Sequence, residues 1–216
     1  MPVLMNQESN MIILPLTYSP STVARRFSVL EKIRVNGGDA EYLVILSEDK
    51  NEFVAAIIES ALTLMDNGDM RHKVVAKLDL CRKDRVEQVL IKDTWVSQEV
   101  AQIEGVVVDG SLRDMGFATV LYEAVIDKAK LVLLSDNEQY QGAKGLWQKI
   151  ARTSKLVSVY VLDTDANRYF PYDGNRLAYD GTSIPEDEIW STHPDKSKHA
   201  VLLVAESNNS EKSLAA

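Results

Sequence analysis

The stretch Val106-Val107-Val108-Asp109-Gly110-Ser111-Leu112-Arg113-Asp114-Met115-Gly116-Phe117-Ala118-Thr119 constrains this chain most. Three consecutive valines suit the end of a buried strand. Asp109–Arg113 is turn chemistry, and after Gly116 the residues Leu121, Tyr122, Val125 and Ile126 recur at helical spacing. A strand that passes into a helix through such a loop leaves the first helical amides without carbonyl partners. Those amides, at the positive end of the helix dipole, suit a phosphate or another anion. Gly116 lets the backbone approach an anion with no Cβ in the way. Ala118 keeps the first turn narrow, and Arg113 can add charge.

The flanks extend this pattern. A long extended stretch, Val96–Val108, precedes the loop, and a helix over about Gly116–Ala129 follows it. Leu131–Leu134 then reads as a short apolar strand, Gln141–Ala151 as a helix with Ala143, Leu146, Trp147 and Ile150 on one face, and Leu156–Leu162 as a strand. Ala200–Ala205 is the expected last strand. Toward the start, Met11–Thr17 and Glu41–Leu46 read as strands. Ser19-Pro20 opens a helix whose stripe is Val23, Phe27, Leu30 and Ile33, and which Gly37-Gly38 ends. Asn51 caps a second expected helix over Glu52–Met65, with a wide apolar face and a stop at Asn67-Gly68. Lys73–Leu80 and Val86–Ile91 read as strands joined by a charged turn.

Between the last two strands lies Asp163–Lys198, with Tyr169, Phe170, Tyr172, Tyr179 and Trp190 among turn-formers. A connection of this length is seldom structureless. It reads as an excursion that packs its aromatics on the domain, with a lid or partner surface as the sharper reading. A single domain over residues 1–205 is expected, with its motif region at 96–162, the insertion at 163–198, and a polar, disordered tail at 206–216.

Composition narrows the function. The 216 residues are 45% hydrophobic and 26% charged, with a formal net charge of -8. That balance opposes broad nucleic-acid binding and docking on an anionic membrane. Met1–Asn10 lacks the basic and apolar regions of a signal peptide, and no apolar run approaches membrane-spanning length. The single cysteine, Cys81, fits a reducing compartment and reads as a packed, inert thiol. A cytoplasmic location is expected.

Arg113-x-x-Gly116-x-Ala118, placed between a strand and a helix, resembles the Q/R-x-x-G-x-G/A signature of the GNAT-type N-acetyltransferases. Leu146-Trp147-Gln148-Lys149-Ile150 resembles that family's L-Y-E-K-x helix, and the element order from Val96 to Leu162 is similar to the family's second half. The resemblance implies an α/β (α+β) fold with a mixed, mainly antiparallel sheet flanked by helices, here with an aromatic-rich insertion before the last strand. It implies that Val108, Arg113, Asp114, Met115, Gly116, Phe117, Ala118 and Thr119 hold the pyrophosphate of acetyl-CoA or another acyl-CoA. It also implies transfer of the acyl group to an amine of a protein or small molecule, and leaves room for a homodimer. The stretch Leu134–Gln139 with the following Gly-x-x-Gly-Leu-Trp helix is similar to GNAT-like proteins encoded by tailed bacteriophages, whose setting is a host bacterium's cytoplasm.

The chain departs from the family where many members keep acid–base groups. The general-base position on the strand before the loop falls near Gln102, so Glu104 is the substitute candidate. A solvent-facing strand residue is the plainer account of Glu104. The helix position of a tyrosine acid is Trp147 here. Tyr140, Tyr122 and Tyr160 are open to that role, with Tyr140 carried as the candidate. The alternative function is a weak or inactive protein of this fold that binds and modulates a host protein. Asp163-Thr164-Asp165 has the form of a metal-binding D-x-D, though a turn that caps a strand is commoner. His72, His193 and His199 lack ligand spacing, so no metal site is expected.

Overall fold

The computed structural model describes residues 1–5, 16–35, 39–82, 99–192 and 201–208. They form mainly antiparallel β-structure flanked by few helices, the fold class expected. The chain divides into two compact units. One comprises Asn10–Cys81 and Glu104–Ala129 and carries the loop; the other comprises Met1–Ser9, Arg82–Ile103 and Lys130–Ala216 and carries the insertion.

In the loop-bearing unit, β2 (Thr17–Tyr18) leads into α1 (Pro20–Arg26). The Ser19 hydroxyl accepts the Thr22 amide at 3.1 Å, and Pro20 takes the first helical position, as expected. The helix is shorter than its sequence stripe suggests. The Phe27 amide closes the last turn on Val23 at 3.1 Å, and Phe27 itself is extended, with φ -123 and ψ 140. Leu30 and Ile33 therefore lie in β3 (Ser28–Arg34), which pairs antiparallel with β4 (Glu41–Glu48). Cross-strand partners outweigh a helical period that the β-branched Val29 and Ile33 support poorly.

The helix expected over Glu52–Met65 is also replaced. Its first part is β5 (Glu52–Glu59), joined to β4 by a turn in which Asp49 N–H bonds the Glu52 carbonyl at 2.9 Å. Phe53, Ala55, Ala56, Ile57 and Ile58 are all at most 2% exposed, so both faces of the strand are covered and its alternation is lost from the sequence. The rest includes the short β6 (Thr63–Leu64), which pairs with β7 (Met70–Arg82). Strand order runs β3, β4, β5, β7, then β8 (Glu99–Val108). On one face α1 sets Val23 against Ile45, Ala56, Ile58 and Val74. The helix α2 (Phe117–Asp127) packs on β3, β4 and β5. Burial of each such aliphatic side chain stabilises by about 1.5–3 kcal/mol.

In the insertion-bearing unit, Glu99–Gln102 of β8 run parallel to β9 (Leu131–Leu134). β9 pairs antiparallel with β13 (Val201–Ser207), and β13 with β11 (Val157–Asp163). The helix α3 (Gln141–Thr153) packs on β11 and buries Trp147 and Ile150. The short β10 (Glu138–Tyr140) pairs in parallel with β1 (Val3–Met5). The polar tail was expected from residue 206, but Glu206 and Ser207 belong to β13 and are 2% and 3% exposed. The Arg176 guanidinium explains the buried carboxylate: it lies 2.7 Å from Glu206 and stacks 3.8 Å from the Tyr160 centroid. Residues 209–216 lie outside the described residues, as do most of Met11–Thr17 and all of Val86–Ile91.

The insertion packs its aromatics inward over much of its described length. β12 (Arg168–Tyr169) pairs with the end of β11, and the Phe170 and Tyr179 amides bond the Val161 and Val159 carbonyls at 2.9 and 2.7 Å. It thus satisfies backbone along the free edge of β11. A short helix, α4 (Glu186–Ile189), follows. Tyr179, Ile184, Ile189 and Trp190 are each at most 3% exposed. Among the described residues no helix is long and apolar enough to cross a membrane.

Candidate functional site

The expected phosphate loop begins at an irregularity in β7. Ile57 pairs with Ala76 while Ile58 pairs with Val74, so Val75 has no opposite partner and its strand bulges. The Val75 carbonyl accepts the Asp109 amide at 2.8 Å, which anchors the first residue after β8. The Asp109 carboxylate accepts the Ser111 hydroxyl at 2.6 Å and its amide at 2.9 Å. Those two bonds, the hydroxyl's first, hold the Asp109 carboxyl below the usual carboxylate range. Gly110–Leu112 form a single 3-10 turn.

Beyond it the backbone becomes left-handed twice, at Asp114 (φ 67) and at Gly116 (φ 89). Gly116 is the N-cap of α2, so it contributes no side-chain cap, and no acidic residue stands in the first turn. The first intrahelical bond runs from Val120 N–H to the Gly116 carbonyl at 3.0 Å. The amides of Phe117, Ala118 and Thr119 are therefore left at the positive end of the helix. A Cβ built on Gly116 meets nothing within 4 Å. The positive φ, rather than crowding by protein, demands glycine there.

Each sequence-predicted cofactor residue falls on this one strand–turn–helix. Val108 is half-buried at the end of β8; Arg113 and Asp114 are exposed; Met115, Ala118 and Thr119 are half-buried. Phe117 differs, being 1% exposed with its ring 5.0 Å from that of Tyr42 at 75°. Its side chain pins the helix start.

The catalytic candidates are distributed differently. Glu104 is exposed on β8 in the loop-bearing unit. Gln102, two residues earlier, is 7% exposed, and its amide donates to the Ser135 carbonyl at 3.0 Å. Ser135 is itself tied to Leu203 by its amide and hydroxyl at 2.8 and 3.1 Å, so Gln102 holds strands together. Trp147 is 1% exposed. Of the three tyrosines open to an acid role, Tyr122 and Tyr160 are 1% and 2% exposed, whereas Tyr140 is 39% exposed at the N-cap of α3. Tyr140 belongs to the insertion-bearing unit.

Asp163 of the D-x-D accepts the Asp165 and Ala166 amides at 3.0 and 3.2 Å, a turn cap. Among the described residues no group of His, Cys, Asp and Glu could hold a metal ion. His72 Nδ1 lies 2.8 Å from the Glu59 carbonyl, and His193 and His199 lie outside the described residues. The sequence reading missed the Val75 bulge, which leaves no compositional trace. It also missed the pairing of Gln139 with Trp190, whose indole N–H donates to the Gln139 carbonyl oxygen at 3.0 Å.

No curated protein and no solved structure gives a match to this chain. The model of the acetyltransferase (GNAT) family matches residues 37–150, more than half of the sequence, including the whole loop and its helix. With that match, the chain belongs to the GNAT acetyltransferase family.

Proposed function

We propose that this protein binds acyl-CoA, with acetyl-CoA the expected form, and transfers the acyl group to a primary amine. One observation carries the reading: the uncapped start of α2, with left-handed Gly116, open space around it and no first-turn carboxylate. The residues fit a pyrophosphate, with the Ala118 and Thr119 amides as donors and Arg113 as a nearby cation. When bound, acyl-CoA supplies the thioester whose acyl carbon is transferred. In this proposal Glu104 takes the proton that the attacking amine loses. Tyr140 gives a proton to the departing sulfur as the carbon–sulfur bond breaks. The family and the single cysteine suit a cytoplasmic setting.

A second reading is acyl-CoA binding with little turnover. It is favoured by the burial of Gln102 and Trp147 in structural roles at the positions where the family resemblance leads one to seek a base and an acid. Calorimetry with acetyl-CoA and a thiol-release assay over a panel of primary amines separate the two. Binding with release supports transfer, and binding without release supports the second reading. No heat of binding at millimolar acetyl-CoA overturns both. Gly116→Asp sets a carboxylate against the phosphates and is expected to abolish binding.

A further inference from the structure

The start of α3 is held from outside by the far end of the insertion, through contacts the sequence does not announce. β10 alternates: Glu138 is exposed, Gln139 is 2% exposed, and Tyr140 is exposed again. In a strand, fixing one side chain inward turns its neighbour outward. Gln139 is fixed twice, since its amide donates to the Asp136 carbonyl at 3.3 Å and its oxygen accepts the Trp190 indole N–H at 3.0 Å. Trp190 is 3% exposed and immediately follows α4.

A backbone route runs beside this side-chain route. The Val3 amide bonds Asn137 at 2.7 Å and the Leu4 amide bonds Ser191 at 2.8 Å, while the Ser191 amide returns to Pro2 at 3.0 Å. β1 thus links β10 to the residue next to Trp190. One turn into α3, the Lys144 ammonium stands 5.2 Å from the Trp190 ring and pairs with Glu186, which also accepts from Gln148 at 2.9 Å. Gly181 approaches the same helix so closely that a Cβ there would lie 2.6 Å from the Gln148 carbonyl.

We infer that Trp190 is a positioning residue: through Gln139 it fixes the junction of β10 and α3, and with it the direction of the Tyr140 phenol. This rests on the reading of Tyr140 as the proton donor in acyl transfer. The insertion is then a brace for one catalytic group.

Trp190→Phe tests this, because it keeps an aromatic ring beneath Lys144 and removes only the N–H. Amide hydrogen exchange across Glu138–Ala143 is expected to quicken about tenfold, as is usual when local opening becomes easier. Acetyl-CoA affinity should stay within about twofold, while kcat for coenzyme A release with 1,4-diaminobutane falls about tenfold at unchanged KM for acetyl-CoA. Adding Gln139→Leu removes the stranded carbonyl oxygen and should restore part of the exchange protection. Val204→Ala, in a separate core cluster, controls for general loss of stability.

Unchanged exchange in folded Trp190→Phe overturns the inference. So does full turnover in Trp190→Phe where Tyr140→Phe is inactive. If Tyr140→Phe turns over like the parent, the acid assignment has failed, and the exchange and rescue data alone decide whether Trp190 sets the junction.

Discussion

Phe117, the first residue of the helix after the loop, sets its ring edge-on against Tyr42 of β4 at 5.0 Å. The first residue of the helix that carries the cofactor candidates is thus anchored by its side chain in the core of the same unit. The start of that helix depends on hydrophobic packing with a residue 75 positions away in sequence. Phe117→Ala is expected to cost about 3–5 kcal/mol of stability and Phe117→Leu under about 2 kcal/mol. Urea unfolding monitored by circular dichroism measures both. A loss below 1 kcal/mol for the alanine variant, on the order expected of a surface site, would show the ring is not an anchor.

Gly116 separates backbone strain from ligand access. Because its φ is 89 and its surroundings are open, Gly116→Ala should destabilise the free protein by about 1–2 kcal/mol. Gly116→Asn should cost less, since asparagine tolerates the left-handed region. Both variants are expected to weaken acetyl-CoA binding, as each adds a side chain where the proposed function places the phosphates. Thermal unfolding with and without ligand distinguishes the effects, and equal ligand-induced shifts in all three proteins would refute the placement.

Glu104→Gln should lower kcat about a hundredfold and leave acetyl-CoA affinity nearly unchanged, because a lost base affects proton transfer and not ground-state binding. Tyr140→Phe should act in the same direction through the leaving group. Thiol-release kinetics on a fixed amine, with calorimetric affinities alongside, provide the comparison. Brisk turnover that survives both substitutions would mean that neither residue carries the proton.

Asp180 gives the fold an acid-sensitive turn. Its carboxylate accepts the Thr182 and Ser183 amides at 2.8 and 2.6 Å, which lowers its carboxyl from 3.8 to about 2. The folded state therefore binds this proton less readily than the unfolded chain. The stabilisation is complete above the ordinary carboxylate value and is lost as pH falls through about 2. Asp180→Asn should flatten the dependence of stability on pH across that window by lowering stability at neutral pH, with the two proteins converging at low pH. Superimposable acid-unfolding profiles for the two proteins would count against the capped turn as a source of acid sensitivity.

The parts of this fold legible in the sequence are those set by local chemistry. Ser19 and Pro20 mark a helix start because a hydroxyl cap and a preset φ act within four residues. The loop from Asp109 to Gly116 and the helices on either side of β9 were readable because turn residues and a one-faced apolar period stand next to each other. The start of the helix that carries the cofactor candidates was readable for the same reason: a helix start is a local object.

What the tertiary structure decided depends on neighbours the sequence does not name. β5 carries apolar residues on both faces because both are buried, which erases the period of two and imitates a buried helix. Leu30 and Ile33 have helical spacing yet form β3, because the partners available across the strand pair from Ser28 to Leu46 outweigh local preference. The inward turn of Trp190 toward Gln139 joins residues 51 positions apart. Local propensity could place an aromatic in the insertion, but only the folded chain supplies the buried acceptor that determines which way its N–H must point.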